Sequence, residues 1–122
     1  MDMTQQEREE QQVADKYNEL IEAYLASNHR RKVERIEKAF NFAKKAHEGV
    51  RRRSGEPYIL HPLSVAIIVC KEMGLGSTSI VCSLLHDVVE DTEYTTEDIR
   101  ELFGDKVAQI VEGLTKISGD LF

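Results

Sequence analysis

Residues 83–91 carry the strongest structural signal in this chain and read Ser83-Leu84-Leu85-His86-Asp87-Val88-Val89-Glu90-Asp91. The four aliphatic residues of this stretch recur at i, i+1, i+4 and i+5, which is the spacing of a buried helical face. An unpaired carboxylate on such a face costs several kcal/mol or becomes protonated. The histidine and the three carboxylates therefore require a partner, and a metal ion is the simplest one.

The spacing within this stretch suggests how such an ion would be held. On a helix, His86 and Asp87 project about 100° apart, so both side chains can reach one ion beside the helix. Glu90 and Asp91 follow one turn later, within reach of water bound to the ion. Imidazole and carboxylate ligands suit Mn²⁺, Fe²⁺ or Zn²⁺ better than Ca²⁺. Such an ion would activate water against a phosphoryl group, with Glu90 or Asp91 orienting that water or carrying its proton.

The remaining chain predicts an all-α bundle of about six helices. Apolar residues recur at helical spacing, and no segment shows the strict alternation of a half-buried strand. The third helix is apolar nearly all round and is expected to lie centrally. The predicted helices span residues 4–28, 29–49, 61–74, 80–90, 95–104 and 105–117, followed by a tail at 118–122.

Local signals set the ends of these helices. Thr4 with Glu7 predicts a capping box, and Gly49 predicts a left-handed C-cap. The N-cap of the fourth helix is expected among Ser77, Thr78 and Ser79, and that of the fifth at Thr95 or Thr96. Side chains expected to face inward in the last two helices are Ile99, Leu102, Phe103, Val107, Ile110, Val111 and Leu114.

Three further histidines differ in their environments. His29 adjoins Arg30, Arg31 and Lys32 and is expected in solvent. His47 falls on the inner side of the second helix near its end, where an imidazolium suits the helix dipole. Neither is assigned to a metal. His61 precedes Pro62 at a helix start, where a hydrogen-bonded core or cap residue is the commoner role, but a nearby His-Asp helix favours ligation.

Residues 50–60 form a basic connection between the second and third helices. Three arginines, Arg51, Arg52 and Arg53, stand here in an acidic chain, and Gly55 and Pro57 indicate a loop. A solvated basic loop is one interpretation. The other is an anion clamp, because arginine binds phosphate through two hydrogen bonds and stacks on bases.

Composition bounds the class of protein. The chain has 122 residues, enough for one domain, and its net charge of −6 argues against a general nucleic-acid binder. The polar N-terminus predicts no signal peptide, and no apolar run approaches the roughly 18 residues of a membrane span. Cys70 and Cys82 lack metal-site spacing and are expected to be buried and reduced. We therefore predict a soluble, cytoplasmic protein without a membrane or nucleic-acid partner.

The motifs together resemble a known family. His61, followed twenty-five residues later by His86-Asp87, is similar to the HD superfamily of metal-dependent phosphohydrolases. Two longer segments resemble the RelA/SpoT family of bifunctional alarmone synthetase/hydrolases. They read Arg52-Arg53-Ser54-Gly55-Glu56-Pro57-Tyr58-Ile59-Leu60-His61-Pro62 and Leu84-Leu85-His86-Asp87-Val88-Val89-Glu90-Asp91-Thr92. The resemblance runs from about residue 37 to the end, including Phe103-Gly104 and residues 111–116.

This resemblance implies hydrolysis of the 3′-pyrophosphate of guanosine tetra- or pentaphosphate to GDP or GTP and pyrophosphate. It implies Mn²⁺ ligands at His61, His86 and Asp87, and water activation by Glu90 and Asp91. It implies nucleotide contacts from Arg52, Arg53, Ser54 and Tyr58. Family members usually have Lys where this chain has Arg53, and the two side chains are not equivalent at a stacked site.

The resemblance also implies a partial domain. Residues 1–28 would be a leading helix and residues 29–122 the helices that carry the HD motifs, without synthetase or regulatory domains. The family's fourth metal ligand, an Asp near a nucleotide-binding Asn, is expected beyond Phe122. We therefore expect the isolated chain to bind Mn²⁺ weakly or not at all, to be a poor catalyst, and to self-associate through apolar surface exposed by truncation.

Two alternatives stay open beside the alarmone hydrolase. One is another HD nucleotide phosphohydrolase, and the other is a non-catalytic regulatory HD module. The loop from Arg52 to Tyr58 favours the alarmone over other nucleotides, and the Glu90-Asp91 pair favours catalysis.

Overall fold

The computed structural model describes residues 3–28 and 32–121, with side chains as far as residue 116. In these residues the chain forms six helices and no strand, which confirms the predicted all-α class. The helices are α1 (Gln5–Ala26), α2 (Val33–Ala46), α3 (Leu60–Lys71), α4 (Ser77–Asp91), α5 (Thr96–Phe103) and α6 (Asp105–Leu121).

Helix α4 is the centre of the bundle. It packs against α2, α3 and α6, while α1 lies on α3. Leu84, Leu85 and Val88 are completely buried, as the i, i+1, i+4 pattern predicts. Each such side chain contributes about 1.5–3 kcal/mol of hydrophobic stabilisation, so the rotation of α4 about its axis is firmly fixed. That rotation carries His86 and Asp87 to the edge of the core.

Two helix starts agree with the predicted capping signals. The Thr4 hydroxyl accepts a hydrogen bond from the Glu7 N–H at 3.1 Å, and the Glu7 carboxylate accepts one from the Thr4 N–H at 3.1 Å. Thr95 and Asp98 form the same reciprocal pair at the start of α5. Gly104 ends α5 with a φ of 99°, a conformation that favours glycine.

Several predicted boundaries are wrong. Helix α4 begins at Ser77, three residues before the predicted start, because the Ile80 N–H already bonds to the Gly76 carbonyl at 3.1 Å. Gly76 is therefore the N-cap, and none of the predicted hydroxyl caps is used. Helix α3 begins one residue earlier than predicted, at Leu60, and ends at Lys71. Helix α6 continues to Leu121 instead of ending at residue 117.

Helix α2 is shorter than predicted at both ends. Lys32 is its N-cap, and the predicted start at residue 29 lies outside the described residues. His47 is the C-cap, and its N–H bonds to the Ala43 carbonyl at 3.0 Å. Gly49 has the predicted positive φ, 80°, but it lies two residues beyond the cap. The chain therefore leaves the helix at His47 and turns into the basic loop.

Some apolar side chains expected inside are exposed. Helix α6 packs through Val107, Ala108 and Val111, whereas Ile110 and Leu114 are exposed, as is Leu102 of α5. On α3, Ile68 lies in solvent, so this helix, which was expected to lie centrally, is uncovered on one face, and α4 is the central helix instead. The self-association expected from such surface stays a prediction.

Cys70 and Cys82 are buried and free, and burial raises the pKa of the Cys82 thiol to about 11. Among the described helices, none has the length and apolarity that crossing a bilayer requires.

Candidate active site

The His86-Asp87 doublet forms a direct pair at the edge of the core. His86 Nδ1 lies 3.2 Å from the Ser83 carbonyl oxygen, so that nitrogen carries a proton and donates it. The other ring nitrogen, Nε2, lies 3.0 Å from Asp87 Oδ1. If the ring were neutral, Nε2 would be a hydrogen-bond acceptor, and it would face a carboxylate oxygen that is also an acceptor. A cation between them, either a proton or a metal ion, resolves that conflict.

The pKa values of both side chains shift toward their charged forms. The hydrogen bond with Asp87 raises the pKa of His86 above its ordinary value, despite the opposing effect of burial. Burial pushes the pKa of Asp87 upward, but the hydrogen bond and charge of His86 and the hydrogen bond from Tyr58 hold it below its ordinary value. Both shifts favour an imidazolium beside a carboxylate.

Tyr58 connects this pair to the rest of the site. Its hydroxyl donates a hydrogen bond to Asp87 Oδ2 at 2.8 Å. Its ring meets His61 edge-on, with 5.9 Å between centroids, and stacks on His47 at 4.6 Å. Burial and the bond to Asp87 raise the pKa of the Tyr58 hydroxyl, so it remains a donor at physiological pH.

His61 is half-buried at the start of α3 and engages the basic loop. Its Nδ1 lies 3.2 Å from Arg52 Nη1. Because a guanidinium can only donate, His61 Nδ1 accepts this hydrogen bond, and a neutral ring then carries its proton on Nε2. The structure therefore joins a predicted metal ligand to a predicted substrate-binding residue.

The basic loop lines an open cleft of about 630 Å³. Five of the predicted substrate-binding and catalytic residues line it. The full lining is Val50, Arg51, Arg52, Arg53, Ser54, Tyr58 and Asp91. Gly55, at a φ of 92°, reverses the loop, and a bridge between Arg51 and Pro57 closes it. The arginines, which are separated from Asp91 by more than thirty positions in sequence, thus share one cavity with it.

The three arginines have different partners. Arg51 donates to the Glu9 carboxylate of α1 through both terminal nitrogens, at 2.6 and 2.7 Å, so this guanidinium holds the loop against α1. Arg53 makes no hydrogen bond or ion pair with the part of the chain that the structure describes, and Ser54 donates to Glu56 at 3.2 Å. Arg53 is therefore the guanidinium most available to a ligand.

Glu90 and Asp91 occupy the last turn of α4 and are exposed. Carboxylates there oppose the helix dipole by about 0.3–1 kcal/mol each, and the last turn of α4 contains no basic residue. Asp91 lines the cleft, whereas Glu90 lies close enough to His86 for its charge to raise the pKa of that imidazole. The two carboxylates therefore face different parts of the site.

His47 belongs to this neighbourhood, although sequence reasoning placed it only on the inner side of the second helix near its end and not in the site. Its side chain is completely buried, and its Nε2 lies 3.8 Å from Asp91 Oδ2. The partner lies on α4, forty-four positions later, so local pattern could not reveal the contact. Its only signal in the sequence is a histidine at the end of an apolar stripe directly before the basic loop.

The donor chemistry of the site fits a metal ion, although its geometry is incomplete. Two imidazoles and one carboxylate, from His61, His86 and Asp87, suit Mn²⁺, Fe²⁺ or Zn²⁺. The facing acceptors of His86 and Asp87 are the observation that supports this. In residues 3–28 and 32–121, however, no three His, Cys, Asp or Glu side chains are already grouped to hold an ion.

The chain is similar to one known family and to several known proteins. The HD domain family model matches residues 39–120. The guanosine-3′,5′-bis(diphosphate) 3′-pyrophosphohydrolase of Aquifex aeolicus (strain VF5) is 47% identical over 93 residues, covering 76% of this chain and 13% of the relative. The bifunctional (p)ppGpp synthase/hydrolase SpoT of Escherichia coli K12 is 46% identical over 100 residues, covering 82% and 14%.

A third relative carries a different name. A GTP pyrophosphokinase of Streptomyces coelicolor is 42% identical over 113 residues, covering 87% of this chain and 13% of the relative. The chain thus spans about 13–14% of the length of these three relatives. With the family model matched over most of its length, the chain belongs to the HD domain family, and its resemblance to RelA/SpoT proteins is confirmed.

Proposed function

We propose that this chain is a hydrolase domain that removes the 3′-pyrophosphate from guanosine tetra- or pentaphosphate, giving GDP or GTP and pyrophosphate. The observation that carries the proposal is the cleft that Arg52, Arg53, Ser54 and Asp91 line together. Guanidinium groups suited to phosphate thus share a cavity with a carboxylate suited to accept a proton. The names of the Aquifex and Escherichia relatives describe enzymes of the same nucleotide.

A metal ion is part of this proposal, and Mn²⁺ is the ion that the resemblance implies. His61, His86 and Asp87 would hold it, because they provide two imidazole donors and one carboxylate at one edge of the core. When bound, such an ion supplies positive charge for the phosphoryl oxygens and acidifies water. The hydrogen bond from Tyr58 would orient Asp87 for that role.

Proton transfer and substrate binding fall to separate residues of this chain. Asp91 would accept the proton of the attacking water, because it is exposed and lines the cleft. Glu90, beside His86, would orient that water from the other side. Arg52 and Arg53 would bind the pyrophosphate oxygens, with Ser54 as an additional donor. Arg52 would also link substrate to His61, which it already contacts.

The test is Mn²⁺-dependent pyrophosphate release from guanosine 3′,5′-bis(diphosphate), measured with protein in excess over nucleotide so that slow turnover is detected. Wild type and Glu101→Gln, an exposed acidic residue of α5, should release pyrophosphate. Arg53→Ala should weaken nucleotide binding, and Asp91→Asn should slow release about 100-fold, as loss of a general base does. Equal rates in Asp91→Asn and wild type would contradict the assignment.

Two other functions remain to be distinguished. Another HD nucleotide phosphohydrolase would release product from a different phosphate ester and ignore the alarmone. A non-catalytic regulatory module would bind the nucleotide without cleaving it. The intact Glu90-Asp91 pair, placed against the helix dipole at some cost, favours catalysis over the module.

We also propose that residues 1–28 and 29–122 act as one unit in the cytoplasm. The contact of α1 with α3 and the hydrogen bonds that Arg51 donates to Glu9 support the first part, because they attach the leading helix to the rest of the domain and to the basic loop.

A further inference from the structure

His47 has a buried nitrogen that packing alone does not explain. Its Nδ1 lies 3.2 Å from the Ala43 carbonyl oxygen and therefore donates, which leaves Nε2 as an acceptor when the ring is neutral. Nε2 has no hydrogen-bond partner in the described part of the chain. A buried polar atom left in this way costs about 1–3 kcal/mol. Leu or Phe would fill the same space without that cost.

The orphaned nitrogen faces the proposed catalytic carboxylate. Nε2 lies 3.8 Å from Asp91 Oδ2, somewhat beyond the roughly 2.7–3.2 Å of a direct hydrogen bond. The His47 ring cannot move, because it is fully buried and tethered at Nδ1. The Asp91 side chain is 41% exposed, so one bridging water can donate to both atoms, and rotation of the carboxylate can close the gap directly when a proton lies between them.

The flat face of the same ring contacts a second residue of the site. It stacks on Tyr58 with 4.6 Å between centroids and 29° between planes. Tyr58 in turn donates to Asp87 at 2.8 Å. One immobile imidazole from the end of α2 therefore contacts both the cleft carboxylate and the tyrosine that orients the other Asp.

We propose that His47 is a positioning residue for hydrolysis. Its Nε2 holds one oxygen of Asp91, through a shared proton or a water, so that the other oxygen is directed into the cleft, while its ring fixes Tyr58. This inference rests on the proposed function for its kinetic part only, since the contact between His47 and Asp91 can be tested without turnover.

Two variants separate the nitrogens from the ring. His47→Phe keeps an aromatic face for Tyr58 and removes both nitrogens. The Ala43 carbonyl loses nothing essential, because it still accepts the backbone N–H of residue 47 at 3.0 Å. His47→Gln restores a polar group near the position of Nε2. The matched control is Phe40→Leu, which removes packing from a buried position of the same helix that contacts Tyr17.

The first measurement is the ¹⁵N NMR signal of His47 Nε2 in the 122-residue chain. Asp91→Asn should change this signal, because it replaces the acceptor that faces Nε2, whereas Glu90→Gln should leave it unchanged. An unchanged signal in Asp91→Asn would overturn the proposal. This readout decides the pairing even if the wild-type chain releases no pyrophosphate, a result that would count against the proposed function alone.

The second measurement is single-turnover and steady-state pyrophosphate release from guanosine 3′,5′-bis(diphosphate). His47→Phe should lower kcat roughly 10- to 100-fold, as loss of an outer-shell partner does, with KM changed less than about twofold. His47→Gln should recover part of the rate, and Phe40→Leu should keep the wild-type kcat despite a lower Tm. A His47→Phe rate equal to that of Phe40→Leu would show that the ring only packs and would overturn the proposal.

Discussion

Two histidine–aspartate pairs in this molecule are built alike and lie in different surroundings. In both, Nδ1 faces a carbonyl of its own helix at 3.2 Å, Ser83 for His86 and Ala43 for His47. In both, Nε2 faces a carboxylate oxygen, at 3.0 Å for Asp87 and at 3.8 Å for Asp91. Tyr58 contacts both pairs, as a donor to Asp87 and as a stacking partner of His47.

The two pairs differ in how far each partner is exposed to solvent. In the first pair both side chains are largely shielded, at 27% exposure for His86 and 11% for Asp87, and neighbouring positions on α4 hold them together. In the second pair His47 is completely buried on α2, and Asp91 of α4 is 41% exposed. A shielded pair of adjacent donors suits a bound cation, whereas an immobile imidazole behind an exposed carboxylate suits orientation of that carboxylate.

The largest expected effect is loss of Mn²⁺ binding when Asp87, but not Asp91, is replaced by Asn. Asp87→Asn keeps the shape of the side chain but removes the charge that the ion needs, so Mn²⁺ binding should be lost. Because a metal ion contributes several kcal/mol to phosphoryl transfer, pyrophosphate release should fall about a thousandfold. Calorimetric titration with Mn²⁺ measures the first effect.

Asp91→Asn is the matched control for that experiment. It makes the same chemical change one turn further along α4 and should leave Mn²⁺ affinity close to wild type. If the two substitutions weaken Mn²⁺ binding equally, the division between a ligand pair and an orienting pair is wrong.

The first pair could be read from the sequence and the second could not. His86 and Asp87 are neighbours on a helix whose buried face follows from Leu84, Leu85 and Val88, so their convergence depends only on helical geometry. The contact of His47 with Asp91 depends on how α2 lies against α4, and no local pattern encodes that. Sequence reasoning therefore placed His47 on the inner side of its helix, where it is buried, but could not identify Asp91 as the group it faces.

Helix ends show the same limit on a smaller scale. The capping boxes at Thr4 and Thr95 were predictable because both partners lie within one turn. The start of α4 at Ser77 was not, because Gly76 caps the helix with its backbone and leaves three nearby hydroxyls unused. The exposed Ile110 was misplaced because helical spacing shows which residues share a face, but not which faces are covered.

The next effect is a dependence of Mn²⁺ affinity on pH, which should be specific to the first pair. A metal ion must displace the proton of His86, whose pKa is raised above its ordinary 6.5 by Asp87. Apparent affinity should therefore fall about tenfold for each pH unit below that raised pKa. Titration calorimetry at several pH values should show this dependence in wild type.

Stability without metal should respond to pH in the opposite sense. A raised histidine pKa stabilises the folded state most fully below pH 6.5, and this stabilisation is lost as pH rises through the folded-state pKa. Chemical denaturation should show that loss in wild type, and His86→Gln should lack it. The same slope in both proteins would place the responsible group elsewhere.

Removing only the Tyr58 hydroxyl should have a moderate effect, larger on the first pair, because the hydroxyl bonds directly to Asp87 and interacts more weakly with Asp91. Tyr58→Phe deletes the hydrogen bond to Asp87 and keeps the ring against His47. A hydrogen bond to a charged group contributes about 1.5–3 kcal/mol, and exposure of this site should bring the loss of stability toward the lower figure. Urea denaturation measures it, and Tyr58→Leu, which also removes the ring that stacks on His47, should cost more stability than Tyr58→Phe.

The smallest effect is expected at the charged contact that lies on the surface near both pairs. Glu9→Gln removes the carboxylate whose two hydrogen bonds hold Arg51, and Arg51 lowers the pKa of Glu9. A lowered carboxyl pKa stabilises the folded state above the unfolded pKa, and this contribution is lost as pH falls. Since exposed charges are screened by salt, wild type and Glu9→Gln should differ slightly in Tm at low salt and converge at high salt. A large difference that persists at high salt would mean that α1 positions the basic loop through more than this ion pair.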